Sequence, residues 1–356
     1  MNRELSLYLD LWRFSAALVV FLGHVSGARF TGGLLWQLGP YMGQAVAIFF
    51  VLSGFVIGYA VDRREASARD YVVARAARIY SVALPALLLT FALDAVGRMT
   101  RPDLYSIDWG YVADGRAWQF FCGLLFINQI WSWNVSPGSN LPYWSMGFEV
   151  WYYVLFGIAV FAPRPWRVPA LLVVLLFVGP RIASLFPLWL LGLAGYQICA
   201  RHLPGRRVGA ALFFGSVAIW IGYEASISVH DRLQFPGTGL PRYDGFLENY
   251  LVGMLFLLHV IGFRAVSDRA APLLAPLVRP IRWVAGATFT VYLFHLPVAQ
   301  FVAAQMPWPP DSWASRTALL GGTAAALFAI AEFTERRKMV WRRGIELVIR
   351  PTPRRA

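Results

Sequence analysis

Apolar runs of about 20 residues recur from one end of this chain to the other, and they decide what it can fold into. As a helix, each run is long enough to cross about 30 Å of hydrocarbon. Lipid offers the backbone no hydrogen-bond partners, so a spanning segment must satisfy its own peptide groups. A helix does so within one segment, and no alternating pattern of barrel strands is present. Charged residues make up 14% of the chain and hydrophobic ones 58%, against about 25% charged in an average soluble domain. The expected fold is all-α, a polytopic helical bundle whose surroundings are the lipid bilayer.

Ten spans are read: Leu7–Gly27, Pro40–Val61, Ile79–Gly97, Tyr143–Phe161, Trp166–Gly179, Ile182–Cys199, Val208–Tyr223, Phe246–Phe263, Trp283–Ala304 and Ala314–Phe333. A further apolar stretch, Trp118–Trp133, is short, and whether it crosses sets the orientation of everything after it. Lys and Arg favour the cytoplasmic side of membrane loops. With the N-terminus inside and Trp118–Trp133 not crossing, 23 of the 32 basic residues lie in inner segments. Seven lie outside: Arg29, Arg98, Arg101, Arg116, Arg181, Arg232 and Arg242. Letting Trp118–Trp133 cross would move most arginines outside. The expectation is therefore a multi-pass protein of the cytoplasmic (inner) membrane with both termini cytoplasmic. Residues 1–333 form the membrane domain and 334–356 a basic tail. The tail's Val340, Trp341, Ile345, Val348 and Ile349 suit either an interfacial helix or a simple anchor.

The net charge of +13 does not point to nucleic acid, because the basic residues sit in the gaps between spans. Lys338 is the only lysine, which nearly excludes lysine chemistry. Cys122 and Cys199 lack metal-ligand spacing and read as small core hydrophobes; no metal is expected. The first span carries Asp10 and Arg13, is long, and lacks a convincing cleavage site, so it is not read as a removable signal.

Ionisable groups inside a span are costly and are functional hypotheses by default. The first span holds Asp10, Arg13 and His24. Arg13 and His24 are 11 residues apart, three turns on nearly one face and about 16 Å along the axis. Arg13 also reads as a snorkelling anchor or a brace for Asp10, and His24 as a core histidine bonded to a carbonyl. The fourth span places Glu149 in its outer half, and the ninth does the same for His295, at a depth similar to His24. His259 stands alone and reads as structural. Ser53 and Gly54 suit close helix packing. Arg75 and Arg78 are topology anchors or a phosphate-binding pair.

Leu9 to Arg13 followed by Val20 to His24 resembles the opening R-x10-H signature of the acyltransferase-3 family of integral-membrane O-acyltransferases. Phe49–Phe55 is similar to its FFxLSGF segment. Tyr71–Tyr80, with Arg75 and Arg78, resembles its basic loop. Trp144, Ser145, Glu149 and Tyr152 resemble its W-S-x-x-x-E-x-x-(F/Y)-Y segment, and Tyr292–His295 its late Y-L-x-H. Ser81 stands where the family often has proline, and Ala74 where it often has a second arginine. The chain is expected to lack the extracytoplasmic hydrolase-like domain that some members carry.

The resemblance implies transfer of an acyl group, commonly acetyl from acetyl-CoA, to a hydroxyl of an extracytoplasmic glycan or glycolipid such as an exopolysaccharide precursor. Acyl-CoA is then a co-substrate, and no tightly bound cofactor is expected. Arg13, Arg75 and Arg78 would meet the donor's phosphates. His24 would act as general base or acyl carrier. Glu149 would orient His24 or the acceptor, and Tyr152 would bond the oxyanion. Asp10, Ser53, Trp144, Ser145 and His295 are supporting candidates. Glycan-assembly proteins are conceivable partners. A transporter or flippase of an acyl donor or glycolipid is the rival reading, since buried charges also mark transport paths.

Overall fold

The computed structural model describes residues 1–226 and 246–349. Arg232 and Arg242, read as outer residues, and the last residues of the tail lie outside the described residues. No strand occurs among the described residues. The longer helices are α1 (Arg3–Val25), α2 (Met42–Arg63), α3 (Ala68–Thr100), α4 (Arg116–Leu124), α5 (Met146–Phe161), α6 (Arg164–Arg201), α7 (Arg206–Ser226), α8 (Phe246–Val266), α9 (Val278–Ala285), α10 (Thr288–Ala304), α11 (Trp313–Phe333) and α12 (Lys338–Val348). Eight helices among the described residues are long and apolar enough to cross a membrane, and a ninth is counted when the pair α9–α10 is taken as one span. The 38-residue α6 is broken at Gly179, with φ 78° and ψ 178°. Counted as two segments, it brings the number to the ten read from the sequence. Pro180 follows the break: it lacks an N–H and drives its predecessor out of the helical region, and glycine tolerates the positive φ.

Two expected segments take a different form. Of Trp118–Trp133, only the part in α4 is helical; α4 has nine residues, about 14 Å, too short to cross. The remainder turns through positive φ at Phe126 and Trp131. The Trp131 N–H donates to the Val178 carbonyl at the α6 break, at 2.9 Å. The third span begins at Ala68 rather than Ile79. Ser67 caps α3 by accepting the Asp70 N–H at 3.1 Å, with Asp70 itself in the first turn. The stretch carrying Arg75 and Arg78 is thus helix, not loop.

The chain forms two compact units. One comprises Met1–Gly23, Gln37–Arg64 and Leu185–Ala285; the other comprises His24–Trp36, Glu65–Ser184 and Gly286–Ala356. In the first, α2 and the second half of α6 cross at backbone contact. A Cβ on Gly54 would lie 1.9 Å from the Trp189 carbonyl oxygen, and one on Gly192 would lie 1.9 Å from that of Val51. Trp189 Nε1 donates to Ser53 Oγ at 3.2 Å across the same crossing. Ser53 and Gly54 therefore serve close packing in this unit. In the second unit, α3, α5, α10 and α11 surround the polar centre described next, and Arg69 at the start of α3 donates to the Ile349 carbonyl beyond α12 at 3.1 Å.

Candidate active site

His24 and His295 meet. His24 Nδ1 lies 3.2 Å from His295 Nε2, with ring centroids 5.1 Å apart. His295 is fully buried, and its Nδ1 is 3.0 Å from the Val291 carbonyl oxygen one turn back. A carbonyl only accepts, so the His295 proton sits on Nδ1 and a lone pair on Nε2. His24 must then donate its Nδ1–H to that lone pair. A neutral His24 is left with a lone pair on Nε2. In a neutral pair this bonding assigns the proton-accepting role to His24 Nε2.

Three devices hold the helix that carries His295. Pro297 lies inside α10 and has no N–H for the Leu293 carbonyl four residues back. Asn140, fully buried, fills that gap: its Nδ2 donates to Leu293 O at 2.9 Å and to Thr90 Oγ1 at 3.2 Å. The loop bearing Asn140 is itself pinned, since Asp94 accepts both the N–H and the O–H of Ser139, at 2.8 and 2.6 Å. At the other end, Glu335 accepts the N–H groups of Phe289 and Thr290 at 2.8 and 3.1 Å and so caps α10. Ser145 Oγ and Tyr292 OH, 2.8 Å apart, tie the start of α5 to the same helix.

Glu149 accepts a hydrogen bond from Tyr153. Arg78 lies within electrostatic reach of Glu149, Tyr153 and Glu335, with its guanidinium 5.8 Å from the Phe289 ring. Glu149 thus belongs to a charge network at the α10 N-terminus. Arg75 pairs with buried Glu65 and lies 5.8 Å from the rings of Tyr71 and Tyr153. Arg75, Tyr71 and Tyr153 line a cavity of about 550 Å³ between α3 and α5. The Tyr152 hydroxyl donates to the Ile182 carbonyl at 3.0 Å. Trp144 packs edge-on against Phe148, 5.1 Å between centroids.

In the other unit, Arg13 pairs with Asp10 at 3.3 Å and donates to the Ala285 carbonyl at 3.2 Å. Ala285 ends α9, where carbonyls lack helical partners. Asp10 also accepts from Arg282, so Arg13 is part of a brace between α1 and α9. His259 is saturated: it meets Tyr8 OH at 2.5 Å through Nε2, and Ser216 Oγ at 3.2 Å and Phe213 O at 3.3 Å through Nδ1. It is structural, as its isolation suggested.

Sequence reasoning did not single out Asn140, Tyr153 or Glu335. Pro297 signalled that a carbonyl in α10 needed an outside donor, but nothing named the donor. Tyr153 lies one turn from Glu149, a spacing that could have paired them.

The fold and this centre define a polytopic helical membrane protein with a two-histidine site in its second unit. A family model described as an acyltransferase domain matches residues 6–332, and the chain belongs to this acyltransferase-3 family. It is similar to the exopolysaccharide production protein ExoZ of Rhizobium meliloti (strain 1021), at 28% identity over 277 residues, which is 72% of this chain and 77% of ExoZ. It is also similar to the acyltransferase MdmB of Streptomyces mycarofaciens, at 28% identity over 151 residues; that stretch covers 40% of this chain and 36% of MdmB. No solved structure matches.

Proposed function

We propose that this membrane acyltransferase moves an acyl group, acetyl by default, from cytoplasmic acyl-CoA to a hydroxyl of an extracytoplasmic glycan, with the exopolysaccharide class favoured by the likeness to ExoZ. The observation that carries the reading is the His24–His295 pair, because it leaves a lone pair on His24 Nε2. As the acceptor oxygen attacks the thioester carbonyl, His24 Nε2 takes the hydroxyl proton. The new C–O bond forms, the tetrahedral intermediate collapses with loss of the C–S bond, and His24 returns the proton to the CoA thiolate. The imidazolium formed in between donates a charge-assisted Nδ1–H bond to neutral His295.

In the proposed layout both termini are cytoplasmic and the protein sits in the inner membrane. The cavity holding Arg75, with Arg78 further along α3, is the proposed donor approach for phosphates and pantetheine. Arg13, in the other unit, is a separate candidate for the donor's charge. Its brace with Asp10 predicts a stability effect as well. The test is purified protein in lipid nanodiscs supplied with labelled acetyl-CoA and a glycan acceptor. Label should pass to the glycan as an alkali-labile ester. Label passing to no acceptor hydroxyl while donor and acceptor both bind would overturn the proposal.

A further inference from the structure

Of the seven basic residues on the outer side of the charge-derived layout, three gather at one place in the second unit. Arg98, near the end of α3, has its guanidinium 5.6 Å from the Tyr111 ring. Arg116, at the start of α4, donates to the Tyr111 hydroxyl at 2.7 Å. Tyr111 packs edge-on against Tyr105, 5.4 Å between centroids. Arg29, five residues past His24, lies in electrostatic reach of Tyr105 and stacks on Phe30 at 4.4 Å. One carboxylate, Asp94, lies near Arg98 and Arg116, and both of its oxygens already accept from Ser139. Three guanidinium groups thus stand beside this carboxylate and the two tyrosines. Burial holds the Arg29 guanidinium at about 10, below its usual range, against an opposing contribution from Tyr105. The Tyr105 hydroxyl is packed against Gly97 of α3, which holds the ring in place beneath the arginines. All three arginines are half-exposed.

The patch is positioned relative to the histidine pair through α10. Gln300 Nε2 donates to the Leu104 carbonyl at 2.8 Å, and Arg29 Nη1 approaches the same oxygen at 3.5 Å. Gln305 Nε2 bonds Thr100 Oγ1 at 3.1 Å. Gln300 is five residues beyond His295, about 8 Å along α10, and Arg29 follows His24 just past the end of α1. The contact that ties the cluster to α10 thus lies one to two turns beyond His295.

We propose that Arg29, Arg98 and Arg116 bind an oxyanion carried by the acceptor, so that the acceptor is an acidic glycan or a phosphate-linked sugar rather than a neutral one. The inference rests on the acyl-transfer reading for its biological setting, but its test does not need turnover. The cost of placing arginines outside is then understandable: guanidiniums held by aromatic rings give directed bonds to carboxylate or phosphate oxygens.

The experiment measures equilibrium binding, without acyl donor, to the full protein in nanodiscs. The probes are an oligosaccharide containing glucuronate, the same oligosaccharide with its carboxyl reduced to the alcohol, and an undecaprenyl-diphosphate-linked neutral sugar. Losing a charge-assisted bond costs about 10- to 100-fold in affinity. The glucuronate probe, the lipid-linked probe or both should therefore bind at least tenfold more tightly than the reduced one, and competition by inorganic pyrophosphate against glucuronate tells the two sources apart. In Arg98→Gln and Arg116→Gln that advantage should shrink toward the neutral level, with Arg98→Lys retaining part of it. Unfolding of each variant is followed in parallel, and Arg101→Gln serves as an outer arginine outside the cluster. Equal binding of charged and neutral probes by the wild type, or an undiminished preference in folded Arg98→Gln and Arg116→Gln, overturns the proposal. Failure of acyl transfer with the charge preference intact would count against the catalytic reading alone.

Discussion

Replacing Asn140 by alanine tests how the histidine-bearing helix is held. The substitution removes the Nδ2 donor to Leu293 O and the bond to Thr90. Because Pro297 offers no N–H, the Leu293 carbonyl is left buried and unpaired, at a cost of about 1–3 kcal/mol. The same change deletes the Asn140 Oδ1, a buried acceptor with no partner, which offsets part of that cost. The single variant alone is therefore a blunt probe, and the informative quantity is a coupling. In a Pro297→Ala background, residue 297 regains an N–H that can bond Leu293 O within the helix. Asn140→Ala should then cost about 1–2 kcal/mol less than in the wild type. Denaturant titration of the four proteins in one detergent gives the cycle. Additivity within about 0.5 kcal/mol would mean that Asn140 does not serve the carbonyl freed by proline.

Other consequences are more direct. Glu335→Ala uncaps α10 and should destabilise by about 0.5–2 kcal/mol, whereas Glu335→Gln, which can still accept an N–H, should lose much less; thermal unfolding reads this. Gly54→Val places side-chain atoms where Trp189 O stands and should abolish folding into the membrane, seen as loss of a monodisperse peak in detergent. His295→Leu removes the acceptor for His24 Nδ1–H and should lower kcat by about 10²-fold or more, while His295→Gln, whose carbonyl can accept that hydrogen, should recover part of it. Arg13→Gln should weaken stability through Asp10 and the α9 carbonyl, and the KM for acyl-CoA shows whether the donor also uses Arg13.

The architecture was legible because hydrocarbon imposes a length and a composition on every span. Even the break in α6 was readable, since Gly179-Pro180 ends a helix whatever surrounds it. The early start of α3 was not, because Arg75 and Arg78 in a helix look like a basic loop when only hydropathy is weighed. The short α4 was assigned to one side by charge, and the structure gives the independent reason that nine residues cannot cross. Equal depth of His24 and His295 could be read from helix direction, but their contact could not, as rotation about each helix axis is set by packing. Glu149 shows the same limit. Its expected depth pointed toward His24, and a bond to Tyr153 one turn away is a local partner that a search for distant ones passed over. Asn140 lies in an irregular loop, where no periodicity carries information about where a side chain points.

The central claim is that His24 Nε2 is the proton acceptor in acyl transfer. Its most direct test is single-turnover transfer of labelled acetyl from acetyl-CoA to a glycan acceptor by purified wild type and His24→Ala, with unfolding and donor binding measured on the same samples. The account predicts that His24→Ala folds and binds donor yet transfers at least about 10²-fold more slowly. Near-normal transfer by the folded variant would contradict it.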